Sequence, residues 1–320
     1  PLLSSVLPVN WPDNEWTGQM KGAIRADNTN RLLIRLLFQT AQDKPTVLLI
    51  EDIHLLDTAS LQLLQAVVIQ VKTLLTVMTT RPLRRPLSRN LAVLLDASDS
   101  SLLTLEPMSP DESVRLAELL LDSRRLPRSI EELIRTRTQG QPLYIEELVY
   151  ALRDSGTLQV VDGTIRLTGN LDQFELRDVS GSLEGVIINR VDRLPPTEQL
   201  TLKVASVIGY EFGYPLLRDV FPIDRERNQL RDHLGSLDRS RLIHSADAGH
   251  ETEHVFRNRA IRDVAYNLVL VKHRTALHRE IAGWIEERHR GELDGHYPRL
   301  AEHWKQAGNP VRAIECLEAA

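Results

Sequence analysis

Val47–Asp57 reads VLLIEDIHLLD. Four apolar residues run into two adjacent carboxylates, Glu51 and Asp52, and then into His54 and a third acid, Asp57. An apolar run this short, placed after Lys44-Pro45, predicts a buried parallel strand over Thr46–Glu51. Strands covered on both faces read as continuous rather than alternating hydrophobics. Acids at the C-terminal end of such a strand stand where open α/β sheets bind their ligands.

Outward from this stretch, the spacing keeps to one pattern. Before it lies a polar loop, Asn10–Asn30, and then a helix in which Leu32, Leu33, Leu36 and Leu37 recur at helical spacing. After it, Asp57 is placed to cap a helix opened by Thr58–Ser60 and running over Leu61–Gln70. A second buried strand is expected at Thr73–Thr79, followed by Thr80-Arg81-Pro82. Strand, helix, strand at this spacing is a βαβ unit, so the sheet is expected to be parallel. A third strand is expected at Ser101–Leu105.

From Ser109 the character turns helical. Ser109-Pro110-Asp111-Glu112 starts a helix with Pro110 at its first position. Further helices are expected at Ile130–Thr138 and Leu143–Ser155, separated by Gly140-Gln141-Pro142, with Gly156 as the cap of the second. LQVVDGTIRL, residues 158–167, reads as a hairpin turning at Asp162-Gly163. Helices at Leu183–Arg193, Pro196–Ile208, Tyr214–Val220 and Arg225–Ser240 precede two short strands, Leu242–Ala246 and Glu253–Phe256. Helices followed by such a pair form a winged-helix pattern. From Ile261 onward the pattern is helical, and a small-residue turn at Ala307–Pro310 separates two amphipathic helices, as at the start of a TPR-like repeat.

Composition narrows the class. A chain of 320 residues accommodates about two or three domains at roughly 100–200 residues each. It is 42% hydrophobic and 26% charged, with a net charge of −5, which gives no global reason to expect nucleic acid or an anionic membrane as partner. The lone cysteine, Cys316, excludes a disulfide framework and a Cys-based zinc site, and fits a reducing, cytoplasmic compartment. No apolar run approaches the roughly 20 residues of a membrane span, and there is no signal-peptide pattern. The chain opens on Pro1 and closes on AIECLEAA, inside an amphipathic pattern, so both ends read as cut from something longer.

An apolar strand ending in two acids has the shape of a Walker B segment, which holds Mg²⁺ beside a nucleoside triphosphate. Thr80 and Arg81, at the end of the next strand, would share that sheet edge. A Thr there can orient an attacking water, and an Arg can neutralise the γ-phosphate. The partner motif, GxxxxGK[ST], occurs nowhere in the sequence. The late histidines His273, His278, His289, His296 and His303 lack the i, i+4 spacing of a helical metal pair. Arg84, Arg85 and Arg89 read as a solvated basic stretch.

Taken together, IEDIHLLDTASLQLL, LLTVMTTRP, LEPMSPDE, GQPLYIEELVYALRDSG, IINRVDRLPPTEQLTLKVASVIG, HVFRNRAIRDVAYNLVL and HYPRLAEHW resemble the STAND branch of AAA+ ATPases. More narrowly, they are similar to the ATPase region of bacterial class III adenylate/guanylate cyclases of the soluble adenylyl cyclase kind. The resemblance covers essentially the whole chain and rests on the order of the motifs. It implies a Mg²⁺-associated role for Glu51, a water-activating role for Asp52 and a sensor role for Arg81. Gly140 and Pro142 match the GxP motif, whose proline packs near the nucleotide base. Asn258 stands where similar proteins carry a histidine that touches the β-phosphate of ADP. An Asn there can donate a hydrogen bond but cannot be cationic.

The resemblance therefore implies a partial P-loop-type α/β core followed by mostly α regions. The core is expected over residues 1–107, a helical lid over 108–179, a winged helix over 180–262 and TPR-like helices over 263–320. ATP or ADP with Mg²⁺ is the implied cofactor. The implied partners are the nucleotide, a cyclase or other output domain upstream, and proteins bound by the repeats. The chain alone, lacking the phosphate loop, is expected to be inactive. The alternatives are a non-catalytic interaction scaffold on a degenerate ATPase fold, and the ATPase region of a transcription regulator.

Overall fold

A computed structural model describes residues 1–6, 11–82, 89–95, 100–123, 125–161, 164–168, 181–248 and 251–320. The chain divides into two units, Pro1–Leu105 and Glu106–Ala320.

In the first unit, helix α1 (Gly22–Asp43) stops at Lys44, the residue that Pro45 forces out of the helical region. Strand β1 (Thr46–Ile50), helix α2 (Thr58–Gln70) and strand β2 (Leu74–Met78) form the expected βαβ unit. The strands pair in parallel, from Thr46 opposite Leu74 to Ile50 opposite Met78. Helix α3 (Arg89–Leu95) follows. Asp57 caps α2: its Oδ1 accepts the Ser60 N–H at 2.7 Å, and that bond holds its carboxyl below the usual range.

One face of the strand pair is covered. Leu48, Ile50 and Met78 pack against Ile53, Leu64, Leu91 and Leu94. The other face carries Val47 paired with Leu75 and Leu49 paired with Val77, exposed at 61, 61, 59 and 41%. A continuous apolar strand is therefore covered on one side only among the described residues. Ser101–Leu105, expected as a third strand, is irregular, and Leu102, Leu103 and Leu105 are exposed. An apolar run becomes a strand only when a ladder partner accepts it, and none does among the described residues.

The second unit begins with α4 (Pro110–Leu120), α5 (Arg128–Arg137) and α6 (Pro142–Asp154). Val114, Ala117, Ile130, Ile134, Ile145, Leu148 and Leu152 form their shared core. The start of α4 is a reciprocal capping box: Glu112 N–H donates to Ser109 Oγ, and Ser109 N–H donates to Glu112 Oε2. Strands β3 (Leu158–Val161) and β4 (Thr164–Leu167) pair antiparallel, with Val161 opposite Thr164. The Asp162-Gly163 turn expected between them lies outside the described residues, as do Arg84 and Arg85.

Next come α7 (Leu183–Asp192), α8 (Pro196–Ile208), β5 (Glu211–Gly213), α9 (Tyr214–Val220), α10 (Leu230–Arg239), β6 (Ile243–Ala248) and β7 (Glu251–Phe256). The three strands form an antiparallel sheet in the order β5-β7-β6. Strand β5 was not expected from the sequence, since three residues are too few to show an alternation. The helix expected over Arg225–Ser240 divides into a 3₁₀ segment, Asp224–Gln229, and α10. Only α10 offers a stripe to bury, through Leu230, Leu234 and Leu237, whereas the 3₁₀ segment has no buried residue.

Helices α11 (Arg259–Asn267), α12 (Val271–Arg288), α13 (Tyr297–Gln306) and α14 (Pro310–Ala319) complete the unit. They share one core with α7–α10, running from Ile187 to Cys316. The protein is mostly helical with small sheets. No described helix is long and apolar enough to cross a membrane.

Candidate functional site

Parallel pairing decides what the acids stand beside. Because Ile50 lies opposite Met78, Glu51-Asp52 and Thr79-Thr80-Arg81 leave the sheet at the same edge. Backbone bonds lock the two exits together: Thr79 N–H donates to Ile50 O at 2.9 Å, and Ile53 N–H to Thr79 O at 3.0 Å. Asp52 is left-handed, with φ 54°, and its N–H donates to Thr79 Oγ1 at 3.1 Å. Asp tolerates this region better than most residues. His54 Nδ1 lies 3.9 Å from Asp52 Oδ1. Glu51 is exposed, and Arg81 is exposed without an ion pair among the described residues. The threonine bonded to the acid-bearing turn is Thr79. Thr80, singled out from the sequence, turns its hydroxyl to Arg81 O.

The Gly140-Gln141-Pro142 segment lies in the second unit, and its geometry explains the glycine. Gly140 has φ 71°, and its carbonyl accepts the Met108 N–H at 2.9 Å. A Cβ there would lie 2.2 Å from Met108 O and 2.8 Å from Met108 N. Two motifs that the sequence holds apart, LEPMSPDE and GQP, are thus pressed backbone to backbone. Pro142 sits at the first position of α6, exposed. Gly140→Ala is expected to destabilise the unit by about 2 to 3 kcal/mol. Left-handed strain supplies about 1 of this and displacement of the Met108 backbone the rest. Urea unfolding of the variant measures it, and a loss below about 0.5 kcal/mol, the range of a neutral surface change, contradicts the steric argument.

Asn258 is committed elsewhere than to solvent. Its Oδ1 accepts the Ile261 N–H as the N-cap of α11, and its Nδ2 donates to Glu147 Oε1 at 2.9 Å. Glu147, on α6, also accepts from Arg190 Nη1 at 2.5 Å. Arg190 Nε donates to Asp154 at 3.1 Å, and Nη2 to the Ser240 carbonyl. The Arg190 and Glu147 side chains are 1 and 2% exposed. Burial pushes the Glu147 carboxyl up, and Arg190 and Asn258 pull it back. This polar cluster ties α6 to α7, to the end of α10 and to the start of α11. No sequence signal announced it, because its members lie far apart along the chain.

The donor set at the Glu51–Asp52 edge fits one half of a magnesium–nucleotide site. Two adjacent carboxylates suit a hard cation that keeps much of its water. No group of three or more His, Cys, Asp and Glu is arranged to hold a metal among the described residues. Such a cation would therefore depend on phosphate oxygens and water for the rest of its shell.

Residues 109–166, from the α4 capping box into β4, match the model of a domain of unknown function (DUF8739). An uncharacterized protein, R02095 of Rhizobium meliloti (strain 1021), is 27% identical over 312 residues, which cover 93% of this chain and 28% of that protein. The chain thus spans less than a third of the length of this relative.

Proposed function

We propose that this chain is the regulatory nucleotide-switch module of a multidomain STAND-type signalling ATPase that controls an attached adenylate cyclase. Residues 1–107 would be part of the ATPase core, 108–179 its helical lid, 180–262 a winged helix, and 263–320 the entry to TPR-like repeats that bind protein partners. The compartment is cytoplasmic.

The observation that carries this reading is the parallel strand pair with Asp52 bonded to Thr79, and Glu51 beside it, at its C-terminal edge. The uncovered apolar face of Val47, Leu49, Leu75 and Val77 supports it, because parallel sheets are built to be covered on both sides. The remaining strands and the phosphate cradle would then come from sequence other than these residues. Bound Mg²⁺–ATP would supply a γ-phosphate open to attack by water. Asp52 would accept the proton of that water, Glu51 would hold the hydrated cation, and Arg81 would offset charge on the phosphate. Thr80 remains at the same edge as a residue that can orient the water. Gly140 and Pro142 shape the lid.

The experiment is direct. The 320-residue chain is expected to bind Mg²⁺–ATP weakly and not to turn it over; vigorous ATPase activity from it overturns the placement of the cradle outside these residues. In a longer protein joining this chain to a GxxxxGK[ST] segment, Asp52→Asn should lower turnover by about 100-fold or more while leaving nucleotide binding intact. Unchanged turnover refutes the assignment.

The non-catalytic scaffold is the second reading, favoured by Asn258, whose amide oxygen caps α11 and whose Nδ2 donates to Glu147. Nucleotide binding by the longer protein decides against it.

A further inference from the structure

A cavity of about 570 Å³ opens where the C-terminus of α8 meets α11, α12 and α13. Two cations converge on it. Arg262 of α11 donates from Nε to Ser206 O at 2.9 Å, and Arg299 of α13 donates from Nη2 to Ile208 O at 3.4 Å. Both carbonyls belong to the last turn of α8, whose orphan acceptors and negative dipole end draw positive charge.

The two guanidiniums differ in what balances them. Arg262 also has Asp263 Oδ1 at 3.1 Å. Arg299 makes no ion pair among the described residues, and its one long hydrogen bond uses a single N–H of the five that a guanidinium carries. Arg299 is exposed at the mouth of this open cavity, and partial burial of its guanidinium lowers its pKa from the ordinary value. An oxyanion in the cavity would give this guanidinium the counter-charge and the paired acceptors that its planar fork suits.

A third polar side chain, His303, lines the same cavity. Tyr266 Oη lies 3.0 Å from His278 Nε2, and His278 Nδ1 lies 2.8 Å from His303 Nδ1. A neutral imidazole has one donor and one acceptor, so this chain of bonds runs in one of two directions. When Tyr266 donates into His278, His278 donates into His303. The outer nitrogen of His303, Nε2, then carries an N–H with no protein partner among the described residues, on a side chain that lines the cavity.

We propose that this cavity binds a small monocarboxylate with an apolar body, its carboxylate held by the forks of Arg299 and Arg262 and by Nε2–H of His303. The rings of Tyr210 and Tyr266 supply apolar wall, as in most small-molecule sites. Glu211 and Glu302 share the lining and disfavour polyanions such as di- and triphosphates. The site uses none of the residues at the Glu51–Asp52 edge and stands or falls independently of the nucleotide reading.

The test titrates the whole chain with sodium benzoate and, separately, sodium hexanoate, against sodium chloride at equal ionic strength. The readouts are the ¹H–¹⁵N side-chain resonances of His303 and the Tm. At least one of the two acids should give a saturable His303 shift and a rise in Tm that chloride does not. Arg299→Gln should weaken that binding about tenfold or more, and Arg299→Lys, which keeps the charge but loses the fork, should weaken it less. The ligand-free Tm of both variants should stay near that of the native chain, since only one long bond is lost. No saturable response to either acid, equal affinity in Arg299→Gln, or tighter binding of inorganic phosphate than of both acids overturns the proposal.

Discussion

Arg190→Met should destabilise the second unit by about 3 to 5 kcal/mol, the usual result of removing one partner of a buried ion pair. For a unit of this size that is a fall in Tm of about 10 °C. The loss exceeds that of the guanidinium's own bonds, because Glu147 is left inside the protein with Asn258 as its one side-chain donor among the described residues. Glu147→Gln should be milder. Arg190 then keeps Asp154 and the Ser240 carbonyl, and a neutral amide remains beside Asn258.

The pH dependence separates this mechanism from simple loss of packing. Without Arg190 the folded-state pKa of Glu147 rises further above its unfolded value. The folded variant then binds a proton that the unfolded chain does not, and its stability falls as pH rises. The gap between Arg190→Met and the native protein should therefore narrow as pH drops from 8 toward 5. Urea unfolding of both proteins across that range measures it, and a gap independent of pH shows that Glu147 is not the group left stranded.

Acid should unfold the second unit early for a different reason. His278 and His303 are 4 and 5% exposed, and burial depresses their pKa values to about 4 and about 3. The groups around them are mostly cationic: Arg262 from α11, Arg274 from α12 and Arg299 from α13 face the pair, with Glu302 as the one opposing charge that acts on it. Both rings are neutral in the folded state at pH 7. The unfolded chain protonates them near pH 6.5, so the unfolded state takes up more protons as pH falls below that value. Stability is complete above the unfolded pKa and is lost as pH falls toward the folded ones. Two such histidines amount to about 3 kcal/mol between pH 6.5 and pH 5. Denaturant unfolding followed by fluorescence of Trp304, on the same helix as His303, should show that decline. His278→Gln combined with His303→Gln should flatten it. His254, also depressed by burial, adds a smaller slope of the same sign that the double variant retains. A native profile that is flat from pH 7 to 5 contradicts a neutral buried pair.

These two clusters mark the limit of what could be read along the chain. The Asp57 cap, the Ser109–Glu112 capping box, α8 at Pro196–Ile208 and α9 at Tyr214–Val220 stand where the spacing predicts them. Caps and apolar periodicity act over three or four residues, and sequence displays that range directly. The parallel pairing of β1 with β2 was legible for a related reason, since a strand–helix–strand of this length closes in one way. The edge that gathers Glu51, Asp52 and Arg81 followed from it. Ser101–Leu105 misled because apolar character does not supply a ladder partner. The spacing of the late histidines excludes a helical metal pair but says nothing of His278 meeting His303 across two helices.

By itself, then, the sequence determined the local elements, their caps and the placing of two acids at the end of a parallel strand. Only the tertiary structure decided that Thr79 rather than Thr80 braces the acid-bearing turn. It also decided that Gly140 is required by the Met108 backbone, that Asn258 is bound to Glu147, and that Arg299 stands at a cavity with no ion pair among the described residues. The physical reason is range. Backbone geometry and helix periodicity are settled between near neighbours, whereas the desolvation and pairing of charge depend on which distant side chains the packed helices bring together.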